Sequence, residues 1–319
     1  MLARSAENLF WVARYIERAD FSARMIDAAL RLATLPKAYG GDGNEWVSPL
    51  AAVGNLDLFR KVHDKQDQNT VFNFLAFDRE NPSSIRNCIA NARRAARAVR
   101  TALTLEMWES INAAWLELSR IESERDPKNP MSREEVDRFL DFVKAISRDF
   151  DGAAYRTMLR DDAYWFNRIG LYAERADNTA RILDVKYHLL LPQSEEIGGT
   201  LDYFQWTAIL RSVSALTAYH WVYRESVKPW LVMDLLVQRS EMPRSLVSCY
   251  ENIARYLDLI GQHYGQQGPS QRLARSVHAT LVNSSREEIF QRGLHEFVTD
   301  FISSNNRLSG MLAEQYFPS

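Results

Sequence analysis

Apolar side chains return at steps of three and four along most of this chain, as at Val12, Ile16, Ala19, Ala23, Ile26 and Leu30. That is the period of a helix with one face turned to a core. Ala, Leu, Arg and Glu fill the long windows without the alternation a half-buried strand requires. The pattern predicts an all-α protein, with long helices at about 5–34, 83–123, 132–150, 154–191, 201–224, 243–266, 270–283 and 285–316 and shorter ones near 47–62 and 227–238. Ser5, Ser132 and Ser285, each followed by acids, are expected N-caps, because the hydroxyl accepts from an orphan backbone N–H and acids suit the positive end of a helix. Pro82 and Pro243 suit first-turn positions. Gly40-Gly-Asp-Gly43 and Asp126-Pro-Lys-Asn-Pro130 read as loops too short to link domains.

The chain resembles itself. Tyr15-Ile-Glu-Arg-Ala-Asp-Phe-Ser-Ala-Arg-Met-Ile-Asp27 aligns with Tyr172-Ala-Glu-Arg-Ala-Asp-Asn-Thr-Ala-Arg-Ile-Leu-Asp184 at an offset of 157. Further on, Glu80-Asn-Pro-Ser-Ser-Ile85 matches Glu241-Met-Pro-Arg-Ser-Leu246, and Cys88 matches Cys249, at an offset of 161. Such self-similarity predicts one helical-bundle domain over 1–319, built by internal duplication of halves 1–157 and 158–319 and related by a pseudo-twofold axis.

The repeated segment also carries a charged stripe. Glu17, Asp20, Arg24 and Asp27 are spaced three, four and three residues apart, so they share a narrow arc of one helix, and Glu174, Asp177, Arg181 and Asp184 repeat it. Each stripe borders an apolar arc, which predicts partial burial. Three readings stay open. Asp20 pairs with Arg24 and the two stripes meet as a crossed ion-pair network, with Arg18 and Arg175 contributing, a device that specifies register more than it adds stability. Alternatively, four carboxylates from facing helices form a cage for a divalent metal, although the Glu-x-x-His of di-iron bundles is missing after Glu17 and Glu174. Or Arg18, Arg24 and Arg181 fork onto the carboxylate or phosphate of a bound anion or peptide.

Composition narrows the partners. Hydrophobic residues at 46%, charged residues at 25% and a net charge of −2 describe an ordinary globular chain with no bulk attraction to nucleic acid or acidic lipid. The most apolar long window, Tyr203 to Tyr223, carries Arg211 and His220 and reads as a buried helix rather than a membrane span. Arg4 and Glu7 precede any apolar run, so no secretory signal is expected and a cytoplasmic location is. The two cysteines form no metal-spaced set, and His63, His188, His220, His263, His278 and His295 are scattered without zinc-protease spacing. No nucleophile elbow or phosphate-cradling glycine loop is present, so ATP is not expected on this chain. Arg93, Arg97 and Arg100 are expected on one helical face, suited to an acidic partner or to plain solvation. Glu106-Met-Trp108-Glu places an indole between carboxylates, with core packing as the simpler reading.

Taken together, Ser5-Ala-Glu-Asn-Leu-Phe-Trp with Glu17-Arg-Ala-Asp, Phe77-Asp-Arg-Glu-Asn-Pro-Ser-Ser-Ile85, Glu106-Met-Trp-Glu, and Glu174-Arg-Ala-Asp through Tyr187-His-Leu-Leu-Leu-Pro192 resemble the bacterial alpha-E family over essentially the whole chain. The resemblance implies an all-helical protein associated, by gene neighbourhood and fusion, with circularly permuted ATP-grasp proteins, transglutaminase-like proteases and proteasome-like peptidases. It thereby implies a role beside a peptide-bond-forming amidoligase, with ATP and Mg2+ on that partner and no cofactor here, and it adds Asp78 and Arg79 to Arg97, Arg100, Glu106 and Trp108 as secondary candidates. The chain departs from the family pattern of Gly-Arg before each Glu-Arg-Ala: Ala13-Arg14 keeps only the arginine and Gly170-Leu171 only the glycine. It also carries Asp20 where the family often has Glu. The leading expectation is a non-catalytic partner of an ATP-grasp ligase that binds the ligase or its peptide. The alternatives are an enzyme or metal-binding protein using Glu17 and Glu174 as acid, base or Mg2+ ligands, and a homo-oligomeric structural protein.

Overall fold

The computed structural model describes residues 3–34, 44–126, 129–189 and 200–317. Among them every regular element is helical. In chain order these are α1 (Ala3–Leu32), α2 (Val47–Ala52), α3 (Leu56–Val62), α4 (Gln68–Ala76), α5 (Ile85–Ala98), α6 (Leu105–Glu124) and α7 (Arg133–Thr157). There follow α8 (Asp162–Leu189), α9 (Thr200–Ser212), α10 (Leu216–Tyr223), α11 (Pro229–Met233) leading into a π-helical turn at Asp234–Gln238, α12 (Leu246–Tyr264), α13 (Pro269–Asn283), α14 (Arg286–Arg292) and α15 (Leu294–Tyr316). No described helix is long and apolar enough to cross a membrane.

The two helices that hold the repeated segment, α1 and α8, lie side by side and run parallel. Asn167 donates to the Leu9 carbonyl at 3.3 Å, and Arg175 meets Glu17 at 3.1 Å, so numbers rise together along both helices. Around this pair, α5 and α7 pack on α1, while α12 and α15 pack on α8. The short helices cross over: α9 packs on α1 and α2 on α8. The predicted apolar arc of α1, from Val12 to Leu30, is buried throughout. One apolar cluster joins Leu9, Phe10, Phe166 and Ile169 with residues of α12 and α15; a second gathers Phe59, Phe74, Phe139 and Leu118 around the far end of α1. Each such side chain contributes roughly 1.5–3 kcal/mol of transfer free energy.

Several predicted helices are interrupted, for local reasons. The 83–123 helix breaks at Val99, where a 3-10 turn at Arg100–Ala102 precedes Thr104, whose hydroxyl accepts from the Met107 N–H and starts α6. The break separates Arg93 from Arg100, so the three arginines do not form one continuous face. Left-handed backbone at Gly54 (φ 73°) divides 47–62, and at Gly293 (φ 96°) divides 285–316. The 201–224 helix is divided at Ser214, also left-handed at φ 57°. Nor is that window buried along its length, since Trp221 is 76% exposed. The break expected at 150–154 falls later, between Thr157 and Asp162, and α4, capped by Asp67, was not anticipated from the sequence. Ser132 forms the expected cap, reciprocated by Glu135, and Ser285 and Glu288 do the same. Ser5 lies inside α1 instead. Pro82 and Pro243 precede the caps Ser84 and Ser245 rather than occupying first turns. The loop at 40–43, residues 127–128, the 190–192 end of the second motif and the side chains of Tyr187 and His188 lie outside the described residues.

Gly170 sits where α8 crosses α1, and a Cβ there would stand 2.2 Å from the Phe10 carbonyl oxygen. Gly170→Ala is therefore expected to lower stability by about 1–3 kcal/mol through overpacking, read as a drop in Tm. Gly152→Ala, with nothing within 4 Å of its new methyl, raises Tm through the helix preference of about 1 kcal/mol.

Candidate functional site

Parallel helices in register place Glu and Arg neighbours of one chain segment opposite Arg and Glu of the other. Arg175 of α8 forks onto Glu17 of α1, its Nε and Nη2 each 3.1 Å from a carboxylate oxygen. Arg18 of α1 does the same to Glu174 of α8, at 2.6 and 3.0 Å. The two Glu-Arg dipeptides thus clasp each other. Paired donors on a planar guanidinium suit a carboxylate geometrically and electrostatically.

Each glutamate takes a second arginine, by a different route. Arg14, one turn before Arg18, reaches Glu174 at 2.7 Å while its guanidinium lies 5.0 Å from the Trp11 ring centre. Arg244, in the turn before α12, reaches Glu17 at 2.7 Å and Asp20 at 3.1 Å. Its backbone is held by Thr179 of α8, which donates to the Arg244 carbonyl at 2.8 Å. In the sequence alignment Arg14 corresponds to Leu171 and Arg244 to Ser83, so the positions differ while both glutamates end with two guanidiniums.

Further along the stripe, Asp20 accepts from Arg24 at 2.7 Å and Asp177 from Arg181 at 2.6 Å, within their own helices. Arg24 also donates to the Ser212 carbonyl and the Ser214 hydroxyl, at 3.2 and 2.8 Å, which supports the left-handed turn there. Arg181 lies against Gly54, at the left-handed turn of the first half. Asp27 and Asp184 leave the network. Asp27 pairs with Arg31 and Lys144 at 3.2 and 3.5 Å, and Asp184 with His295 at 2.6 Å. On α1, Arg244 links Glu17 to Asp20 and so to Arg24; on α8, among the described residues, Asp177 and Arg181 pair with each other beside the clasp without a hydrogen bond to Glu174.

Glu17 is wholly buried and Glu174 is 2% exposed. Burial alone raises a carboxyl pKa, but Arg175 and Arg244 outweigh it at Glu17 and hold its pKa at about 2, below the usual 4.5. Arg18 and Arg14 do the same for Glu174, also to about 2. Cys88 and Cys249 lie buried beside the clasp, and burial pushes each thiol up to about 12. Six arginines face four carboxylates here, a local charge of +2. Each glutamate accepts three guanidinium hydrogen bonds across its two oxygens, and its charge is already met by two cations that would repel a divalent metal. Among the described residues no cluster of three or more His, Cys, Asp or Glu has metal-site geometry. Asp20 Oδ1 and Asp177 Oδ1 are buried without a hydrogen bond.

Residues 1–317 match a family model named Alpha-E, described as a predicted alpha-helical domain with a conserved ER motif. The chain belongs to the Alpha-E family. The two Glu-Arg dipeptides of this Alpha-E chain, Glu17-Arg18 and Glu174-Arg175, are the halves of the clasp. No curated protein and no solved structure matches the chain.

The secondary candidates lie apart from the clasp. Asp78 accepts from the Glu80 N–H at 2.7 Å in the turn after α4 and stands 4.0 Å from His63 Nε2; Arg79 is exposed in the same turn. Arg97 is exposed on α5, Arg100 covers the half-buried Trp108 at 5.2 Å, and Glu106 is exposed on α6. The sequence reading missed Arg244, whose only signal was an arginine facing Ser83 in the alignment. It also missed a second buried pair, Lys186 of α8 with Asp202 of α9 at 2.8 Å.

Glu17→Gln or Glu174→Gln leaves two buried arginines under-compensated and is expected to cost about 3–5 kcal/mol, measured by urea unfolding at pH 7. Because both carboxyl groups titrate lower in the folded state, the stability they contribute is complete above about pH 4.5 and is lost as pH falls toward about 2. Unfolding midpoints in the wild type should therefore drop across that window, and by less in either Gln variant. Cys88 and Cys249 should resist a thiol reagent at pH 8 until the chain unfolds.

Proposed function

We propose that this Alpha-E chain works by binding rather than by its own chemistry, as a helical accessory subunit of a circularly permuted ATP-grasp amidoligase, holding the ligase or its peptide substrate. The observation that carries the reading is the state of Glu17 and Glu174. A general acid or base needs a pKa near the working pH and an oxygen that can reach a substrate; these two are buried, doubly bound by arginines and held at about 2. The most distinctive charged constellation of the chain is thus matched to joining α1 with α8. The named partner comes from the family resemblance, in which ATP and Mg2+ belong to the ligase.

The local surplus of positive charge favours a second reading. Arg18 and Arg181 keep 25% and 31% of their side chains exposed, which suits a carboxylate or phosphate docked against the edge of the network.

Co-purification with the neighbouring ATP-grasp protein, followed by ATP hydrolysis across amino acids and small peptides with and without this chain, tests the proposal. The expected result is a stable complex, a raised ligase turnover or a lowered peptide KM, and no turnover by the chain alone. Turnover by the isolated chain that disappears in a folded Glu17→Gln variant would overturn it.

A further inference from the structure

The antiparallel pair α6–α7 turns one face to the core, through Met107, Ile111, Ala114 and Leu118 on α6 and Phe139, Val143 and Phe150 on α7. Between their outer faces runs an open groove. One section, of about 820 Å³, extends from Glu106 and Thr157 to Glu117 and Phe142. A second, of about 500 Å³, continues from Glu117 and Phe142 to Arg125 and Pro130. Sharing two residues, the sections form one channel. From Glu106 to Glu124 the α6 wall spans about 27 Å at 1.5 Å per residue, the length of a partner helix of about five turns.

The lining suits a helix. Ala113, Ala145, Gly152 and Ala153 are small, which allows a close interaxial approach, and Phe142 and Ile146 supply apolar surface at the floor. Charge then selects the occupant. In the first section Glu106, Glu109 and Glu117 line the α6 wall, and Arg148 and Arg156 the α7 wall beside Asp149; in the second, Arg120 and Arg125 join the α6 glutamates and Glu135 stands with Arg138 on α7, so the selection by charge acts in the first section. Among the described residues Glu106, Glu109, Arg148 and Arg156 make no ion pair with one another or with a neighbour.

We propose that this groove docks one amphipathic α-helix of a partner protein, with a basic flank toward α6, an acidic flank toward α7 and aliphatic residues toward Phe142. The inference deepens the reading of the chain as a binding subunit and places a contact surface on it. A helix laid in the groove completes a three-helix layer, covers the half-buried Phe142, and pairs charges that have no partner in the free chain. In the first section, Glu106 and Glu109 opposite Arg148 and Arg156 also fix the direction of the bound helix, since reversing it would bring like charges together.

The test uses the full chain and three 18-residue helical peptides with the same leucine face: one with Lys on one flank and Glu on the other, one with Lys on both, and one with Glu on both. Fluorescence anisotropy should show the mixed peptide binding about tenfold tighter than either uniform one, with the difference shrinking in high salt. Gly152→Trp, which fills the groove without touching the core, should abolish binding while circular dichroism stays unchanged. Glu106→Lys with Glu109→Lys makes both walls basic and should move the preference to the all-Glu peptide. Equal binding of the three peptides, or binding that survives Gly152→Trp, overturns the proposal. So does a concentration-dependent dimer in light scattering that Gly152→Trp dissociates, which would assign the face to a second copy. Failure to co-purify with the ATP-grasp protein would remove the function proposed above and leave the peptide result to decide this one.

Discussion

Two glutamates that lose their water when α1 and α8 close must each be met by guanidiniums from elsewhere in the chain. That requirement governs the arrangement. A buried ion pair adds little net stability, because desolvation offsets the attraction, but a buried charge left without its partner costs several kcal/mol. Sliding α8 along α1 by one residue would bring Glu17 away from Arg175 and Glu174 away from Arg18 at once. The clasp therefore excludes other registers more than it strengthens this one, and close packing of Gly170 against the Phe10 carbonyl excludes them further.

The rest of the architecture follows from a parallel central pair. Parallel helices cannot be joined by a short turn, and here α2 to α7 intervene, packing partly on α1 and partly, through α2, on α8. In return α9 packs on α1, and Arg24 reaches the turn at Ser212 to Ser214. Each central helix thus has ties to both groups of outer helices. The unequal second arginines, Arg14 from the same helix and Arg244 from a distant turn, give both glutamates the same number of guanidinium partners even where the two segments differ in sequence.

With two arginines on each glutamate, the clasp is committed to joining α1 with α8. The outer groove of α6–α7 offers Glu106, Glu109, Arg148 and Arg156, which make no ion pair among the described residues, over a half-buried Phe142. A preformed groove loses little entropy when a helix enters it, which suits the binding role proposed above.

Much of this was legible along the chain, because helical period, capping serines and the Glu-Arg-Ala-Asp repeat depend on residues within a turn or two of one another. The i,i+4 pairs Asp20–Arg24 and Asp177–Arg181 could be read directly from spacing. The breaks at Gly54 and Gly293 had glycine as a signal, whereas the break at Ser214 had none, since a hydrogen bond from Arg24 supports that turn across the fold. The Lys186–Asp202 pair was likewise invisible, Arg244 had only its place opposite Ser83 as a signal, and Asp27 and Asp184 were assigned to a network they do not join among the described residues. By itself the sequence determined an all-helical chain with two charged, self-similar segments. Only the tertiary structure decided which charges meet, because attraction between groups more than 150 residues apart exists only once the chain has brought them within a few ångströms and removed the water between them.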